Sequence, residues 1–176
     1  IVNHHREPVE SSARRLTLGV IQQHASRMAE ILGAERVTSV FGHWPSFHDA
    51  EAVRFSLHRT GRGTAVDECP RVTADIYAFE MTSEVGPDGT YVLRNESLVS
   101  LEFREVVVVV IEDFNCQNAL FGLRVVDVSE RQQERVRFEV HFDAAYGMGA
   151  SFACYAVEVL DVQPWPGAGE ASRPAV

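Results

Sequence analysis

Between Val136 and Phe142 an apolar residue stands at every second position: Val136, Phe138, Val140 and Phe142 alternate with Arg137, Glu139 and His141. A period of two sends successive side chains to opposite faces, so the segment suits a strand with one face buried and one wet. The pattern recurs along the chain. Val53, Phe55 and Leu57 alternate within residues 52–59, and Tyr77, Phe79 and Met81 share a face of residues 72–81. Val99, Leu101 and Phe103 repeat it, as do Phe121, Leu123 and Val125, and Phe152 to Val162 closes the series. Val106–Ile111 is apolar and β-branched throughout, which predicts a central strand covered on both faces.

Turn chemistry separates these runs. Gly86-Pro87-Asp88-Gly89 is a strong turn signal, residues 129–134 are polar, and residues 144–150 and 60–70 contain glycines. Helical spacing is confined to the region before the first strand. Met28, Ile31 and Leu32 share a face, Gly33 interrupts, and Ala34–Phe41 forms a second short helix that Gly42 ends. The expected fold is mainly β, bordering on α+β. About seven strands form an antiparallel meander folded into a sandwich or a curved sheet, with short helices near the N-terminus.

The 176 residues fit one domain. Its expected span is 28–163, followed by a disordered tail over 164–176 rich in Pro and Gly. Residues 1–27 differ in character. They carry four Arg against two acids and precede the first Met, Met28. They are expected to be an extension, or a translated upstream region, outside the folded unit.

The net charge is −9, so the chain beyond residue 27 carries −11. An acidic body argues against a nucleic-acid partner, because phosphate binding needs a basic footprint. It suits a basic protein partner. No apolar run approaches the roughly 20 residues of a membrane helix, and no membrane partner is expected. Cys69, Cys116 and Cys154 are odd in number and widely spaced, which supports neither a zinc ribbon nor a disulfide framework. Cys154 lies in an apolar strand pattern and reads as a small buried hydrophobe. A reducing cytoplasm is the simplest location.

No catalytic signature emerges. There is no G-x-S-x-G elbow, no H-E-x-x-H and no Walker or Rossmann glycine pattern. No catalytic residue, metal or cofactor is assigned. His43, His48, Asp49 and Glu51 cluster within nine residues. A metal would need distant ligands such as His58 or His141 to join them. That arrangement defines the alternative reading: a small-molecule or metal-binding β-protein, with or without enzymatic activity, using His48, Asp49 and Glu51. A third reading makes the chain a scaffold whose apolar strands form an oligomer interface.

Two segments are distinctive. The first is Phe41-Gly42-His43-Trp44-Pro45-Ser46-Phe47-His48-Asp49-Ala50-Glu51. The second is Leu101-Glu102-Phe103, then Ile111-Glu112-Asp113-Phe114-Asn115-Cys116-Gln117-Asn118 and Phe121-Gly122-Leu123. Together they resemble the bacterial immunity protein 50 family over about Met28 to Val162. The chain departs from the family pattern at His43, where an aromatic often stands, and at Cys116. The resemblance implies a non-enzymatic cytoplasmic protein of a polymorphic toxin system, whose partner is the cognate toxin. A toxin of this kind is often a nuclease with a basic active site. Trp44, Pro45, Phe47, His48, Asp49, Glu51, Phe114, Asn115, Gln117 and Asn118 carry the motifs and are structural or binding residues. Trp44, Phe47 and Phe114 are expected in the core, and Asn115, Gln117 and Asn118 in a polar turn. Glu102, Glu112, Asp113, Glu139 and Asp143 are the exposed acids expected to meet the toxin.

Overall fold

The computed structural model describes residues 31–59 and 69–165. The proposed extension over 1–27, the centre of the 60–70 loop and the tail from 166 lie outside the described residues. The first described element is helix α1 (Ala34–Phe41), and Gly42 ends it with φ 73° and its N–H bonded to Thr38 O. Eight strands follow: β1 (Glu51–His58), β2 (Arg71–Val85), β3 (Tyr91–Arg104), β4 (Val107–Glu112), β5 (Ala119–Asp127), β6 (Phe138–Tyr146), β7 (Gly149–Cys154) and β8 (Ala156–Pro164). A 3₁₀ turn over Ser129–Arg131 joins β5 to β6.

All strand pairs are antiparallel, and the strands make one sheet in the order β4-β7-β6-β5-β1-β2-β3-β8. Two three-stranded meanders, β1-β2-β3 and β5-β6-β7, are its building blocks. They meet at the β1/β5 seam and again through a shared ladder. β3 pairs with β8 from Ser97↔Pro164 to Arg104↔Ala156, and β4 with β7 from Val107↔Ala153 to Glu112↔Gly149. Between them Tyr155 N–H bonds Arg104 O at 3.0 Å. β3 therefore runs into β4, and β7 into β8, through one bend each. Glu105, at φ 53°, turns the first of these corners.

This double bend curls the sheet until one face encloses the core. Phe103 on β3 lies 5.0 Å, ring to ring, from Phe152 on β7, and Phe55 on β1 lies 5.5 Å from Phe142 on β6. Val72, Ala74, Ile76, Val99, Leu101, Val140 and Val159 fill the rest of that face, all buried. Their alternation with polar neighbours is the period-two pattern of the sequence. Cys154 joins them, fully buried, and burial pushes its thiol up to about 12.

The two edges are treated differently. On β8, Leu32 pairs in parallel with Glu158 through Leu32 N–H to Val157 O and Val159 N–H to Leu32 O. Arg36 of α1 then donates to Val159 O at 2.6 Å and to Leu160 O. The β4 edge has no such cover among the described residues. Here the reading of Val106–Ile111 as a central strand is corrected: β4 is an edge strand, and every residue in it is exposed. An apolar run records what a strand is made of, not what covers it.

Candidate functional site

The two motif segments converge at the β1/β5 seam. Only Glu51↔Ala119 is a ladder pair there, and loop hydrogen bonds supply the rest of the join. Ala52 N–H bonds Asn118 O, Leu120 N–H bonds Ala50 O, Asp49 N–H bonds Leu120 O, and Leu123 N–H bonds Ser46 O. Reaching these partners requires a sharp path, and Phe47 and Asp49 adopt it at φ 59° and 63°. Left-handed backbone costs a non-glycine residue of order 1–2 kcal/mol, so the surroundings must hold it. They do so through Phe47, which is 2% exposed and packs edge-on against the half-buried Trp44 at 5.7 Å. Pro45 is buried beside them.

Asn118 is the hub of the second motif. It is 4% exposed, and its Oδ1 accepts from Asn115 N–H and Met148 N–H, both at 3.0 Å. Its Nδ2 donates to Asn115 O at 2.9 Å. Asn115 Oδ1 in turn accepts from Gln117 N–H. One buried amide thus ties the 113–118 loop to the β6–β7 turn. Phe114, expected in the core, is instead 55% exposed, because the loop's anchor is this polar amide and not a ring.

His48 and Asp49 are exposed at the tip of the first motif, with His48 Nδ1 2.9 Å from Asp49 Oδ2. The His48 ring lies 6.2 Å from that of Phe121, an exposed β5 residue. Among the described residues no three His, Cys, Asp or Glu side chains gather as metal ligands. Among the described residues, the His48–Asp49–Glu51 constellation therefore finds no further ligand.

The acids divide into two groups. Glu102 is not an exposed acid. It lies between Arg71 at 3.7 Å and Arg104 at 2.7 Å, with Arg104 also bound to Glu158, in a cross-strand ionic ladder. The other four lie on β6, on β4 or just beyond it. Glu112 and Asp143 border a groove of about 290 Å³ on the outer face of β4, β7 and β6, which Val110, His141 and Ser151 also line. Asp143 takes a bidentate pair from Arg124, at 2.6 and 2.9 Å, and that hydrogen bonding holds its carboxyl below the usual range. Glu139 is bound to Arg131. Glu112 and Asp113 are exposed. Sequence reasoning missed the groove, because the β4–β7 pairing that builds it joins segments about 40 residues apart.

The profile of the family described as immunity protein 50 matches residues 33–165. The chain belongs to the immunity protein 50 family. The match spans α1 and all eight strands, including both motif segments and the groove. No curated protein and no solved structure matches the chain. For a member of this family, the motif geometry has a plain consequence. The motif side chains that are buried hold the seam, whereas His48, Asp49 and Phe121 stay on the surface.

Proposed function

We propose that this immunity protein binds a cognate bacterial toxin and neutralises it by covering its active site, with no catalysis of its own. Membership of the immunity protein 50 family carries this reading. The groove face supplies the docking surface. It offers concavity and the acids Glu112 and Asp143 at its border with His141, and exposed Asp113 follows Glu112 in the chain. Such a field complements a basic active site, as in a nuclease, and steers encounter by opposite charge. The exposed Phe121 is the kind of large aromatic that anchors interfaces. An ordinary interface of roughly 800 Å² per partner would cover both features. The motif residues Trp44, Pro45, Phe47, Asn115 and Asn118 act by holding the seam, and the protein acts in the cytoplasm, where the toxin would reach its target.

The test is co-expression with the toxin-like gene immediately upstream of its own. Growth rescue with a stoichiometric complex is the expected result. Toxicity that persists at full expression, with no complex on gel filtration, would remove the reading.

A further inference from the structure

β2 and β3 outrun their neighbours. β1 stops pairing with β2 at Glu51↔Tyr77, and β8 stops pairing with β3 at Ser97↔Pro164. Beyond these points, among the described residues, the two strands pair only with each other, from Ala78↔Ser97 to Val85↔Tyr91. Residues 78–85 of β2 thus stand clear of the sheet, an arm of roughly 25 Å at about 3.3 Å per residue. A two-stranded ribbon is marginal by itself in water, and this one is braced rather than buried. At its root Trp165 N–H bonds Glu96 O at 2.9 Å, the Trp165 ring lies 4.6 Å from that of Tyr77, and the Tyr77 hydroxyl donates to Glu96. Along its length Thr82 Oγ1 donates to Val92 O, and Arg94 pairs with Glu84 at 2.8 Å. At its tip Gly86 N–H bonds Thr90 O, and Thr90 N–H bonds Asp88 Oδ1. Val85 stands opposite Tyr91 and Met81 opposite Leu93, and Tyr91 and Leu93 are two apart, so these four share one face. On it Met81, Val85 and Tyr91 are 52, 61 and 56% exposed. Residues 79–96 carry four acids against Arg94, a net of −3.

We propose that this arm is the element that enters the toxin's active-site cleft, with Met81, Val85 and Tyr91 against the cleft wall; the inference rests on the toxin reading above. Three observations select that occupant. The first is shape. Active sites are concave, and filling one takes a protrusion. The groove is itself a hollow, whereas the arm stands out from the sheet and is already held in one form, which lowers the cost of binding. The second is charge, since a net of −3 on the inserted element complements a basic cleft. The third is place. Tyr77 pairs with Glu51, Glu51 with Ala119, and Ala119 with Tyr146, one row across four strands. The arm leaves the sheet on the side of that row where exposed His48, Asp49, Asp113 and Phe114 lie. Glu112, which pairs with Gly149 just past Tyr146, reaches the same end. One partner seated on that end meets the arm and the acid at the groove together. A strand of a second copy fits less well. Register shifts between Ala78 and Glu80 and between Met81 and Val85 break the arm's ladder, and Glu84 N–H is turned onto Thr82 Oγ1, so its edges are poor templates for pairing.

The experiment uses the full chain and the toxin encoded immediately upstream of it, with two variants. In the first, a two-residue Asn-Gly turn replaces residues 82–92 and joins Met81 to Leu93. It is expected to leave the toxin active at concentrations where the parent silences it. The second combines Val85→Ser with Tyr91→Ser, both at exposed positions. Its Kd is expected to rise roughly thirtyfold or more, mainly through faster dissociation, as for the loss of an interface anchor. Either variant behaving as the parent overturns the proposal and leaves neutralisation to the groove face. If the shortened chain does not fold, the double substitution decides together with amide exchange on the parent. Added protection over residues 79–96 on complex formation supports insertion of the arm, and unchanged exchange there overturns it. A parent that neither binds nor silences the toxin removes the toxin reading, and this inference with it, before any variant is compared.

Discussion

At the scale of single residues, the seam between β1 and β5 depends on Asn118 and Gly147. Asn118→Ala would leave the buried N–H of Met148 and the part-buried N–H of Asn115 without their acceptor. A buried loss costs about 1–3 kcal/mol and a part-buried one about 1, so the expected destabilisation is about 2–4 kcal/mol. Gly147 has φ 74°, and a Cβ there would stand 2.1 Å from Gln117 O and 2.8 Å from Asn118 Oδ1. Neither contact can be relieved by a flexible side-chain end, because one is backbone and the other is the locked amide. Gly147→Ala should therefore lower stability by at least as much as Asn118→Ala. A urea titration checks both, as a lower midpoint with an unchanged slope. A midpoint within error of the parent for Asn118→Ala would mean that water replaces the amide. The Asn115-Cys116-Gln117-Asn118 segment could be read from sequence as a polar turn, because Asn side chains mimic backbone there. That Asn118 also holds Met148 could not, since the two residues lie 30 apart and only the fold brings them together.

At the scale of elements, alternation located most strands but not always their buried face: Val53 and Leu57 on β1, Met81 on β2 and Phe121 on β5 are exposed, and register shifts at Ala52/Arg54 and Leu120/Gly122 break the period on β1 and β5. Where the period is unbroken it records one buried face. β6 is a clear case: Phe138, Val140 and Phe142 are buried and the residues between them are not. The run from Val106 to Ile111 failed as a guide to place. β-branched residues favour extended backbone wherever it lies, and burial is decided by neighbours that composition does not name. The bends at Glu105 and Tyr155 were likewise invisible, since each splits a continuous ladder without any Gly or Pro to mark it. The curl they create brings Phe103, Phe142 and Phe152 together. Phe103→Ala should cost about 3–5 kcal/mol, by lost transfer energy and the cavity left behind. Phe103→Leu should cost distinctly less, and thermal melts of the two variants give the comparison. Equal losses would show that ring geometry, not filled volume, holds the curled face.

At the scale of the whole molecule, the net charge of −9 matters only where it is left unpaired and near a docking surface. Most of the acids on the outer face are already held: Asp75 by Arg54, Glu102 by Arg71 and Arg104, Glu139 by Arg131, Asp143 by Arg124. Glu112 and Asp113 are exposed and, among the described residues, no ion pair engages either, so they keep their full field where Glu112 borders the groove. Long-range steering acts through such charges and is screened beyond about 8 Å at physiological salt. Replacing Glu112 and Asp113 together by Lys should slow association with a basic toxin by roughly tenfold or more at low salt, with the difference shrinking as salt is added. Dissociation should change less, because marginal charges set on-rates more than residence times. Glu102→Gln, inside its ionic ladder, should leave association unchanged and lower stability instead. Stopped-flow association rates at several ionic strengths separate these outcomes. If the Glu112/Asp113 variant associates at the parental rate at low salt, the toxin does not approach over this margin. If Glu102→Gln is the slower variant, the approach is over β3, at the other side of the sheet.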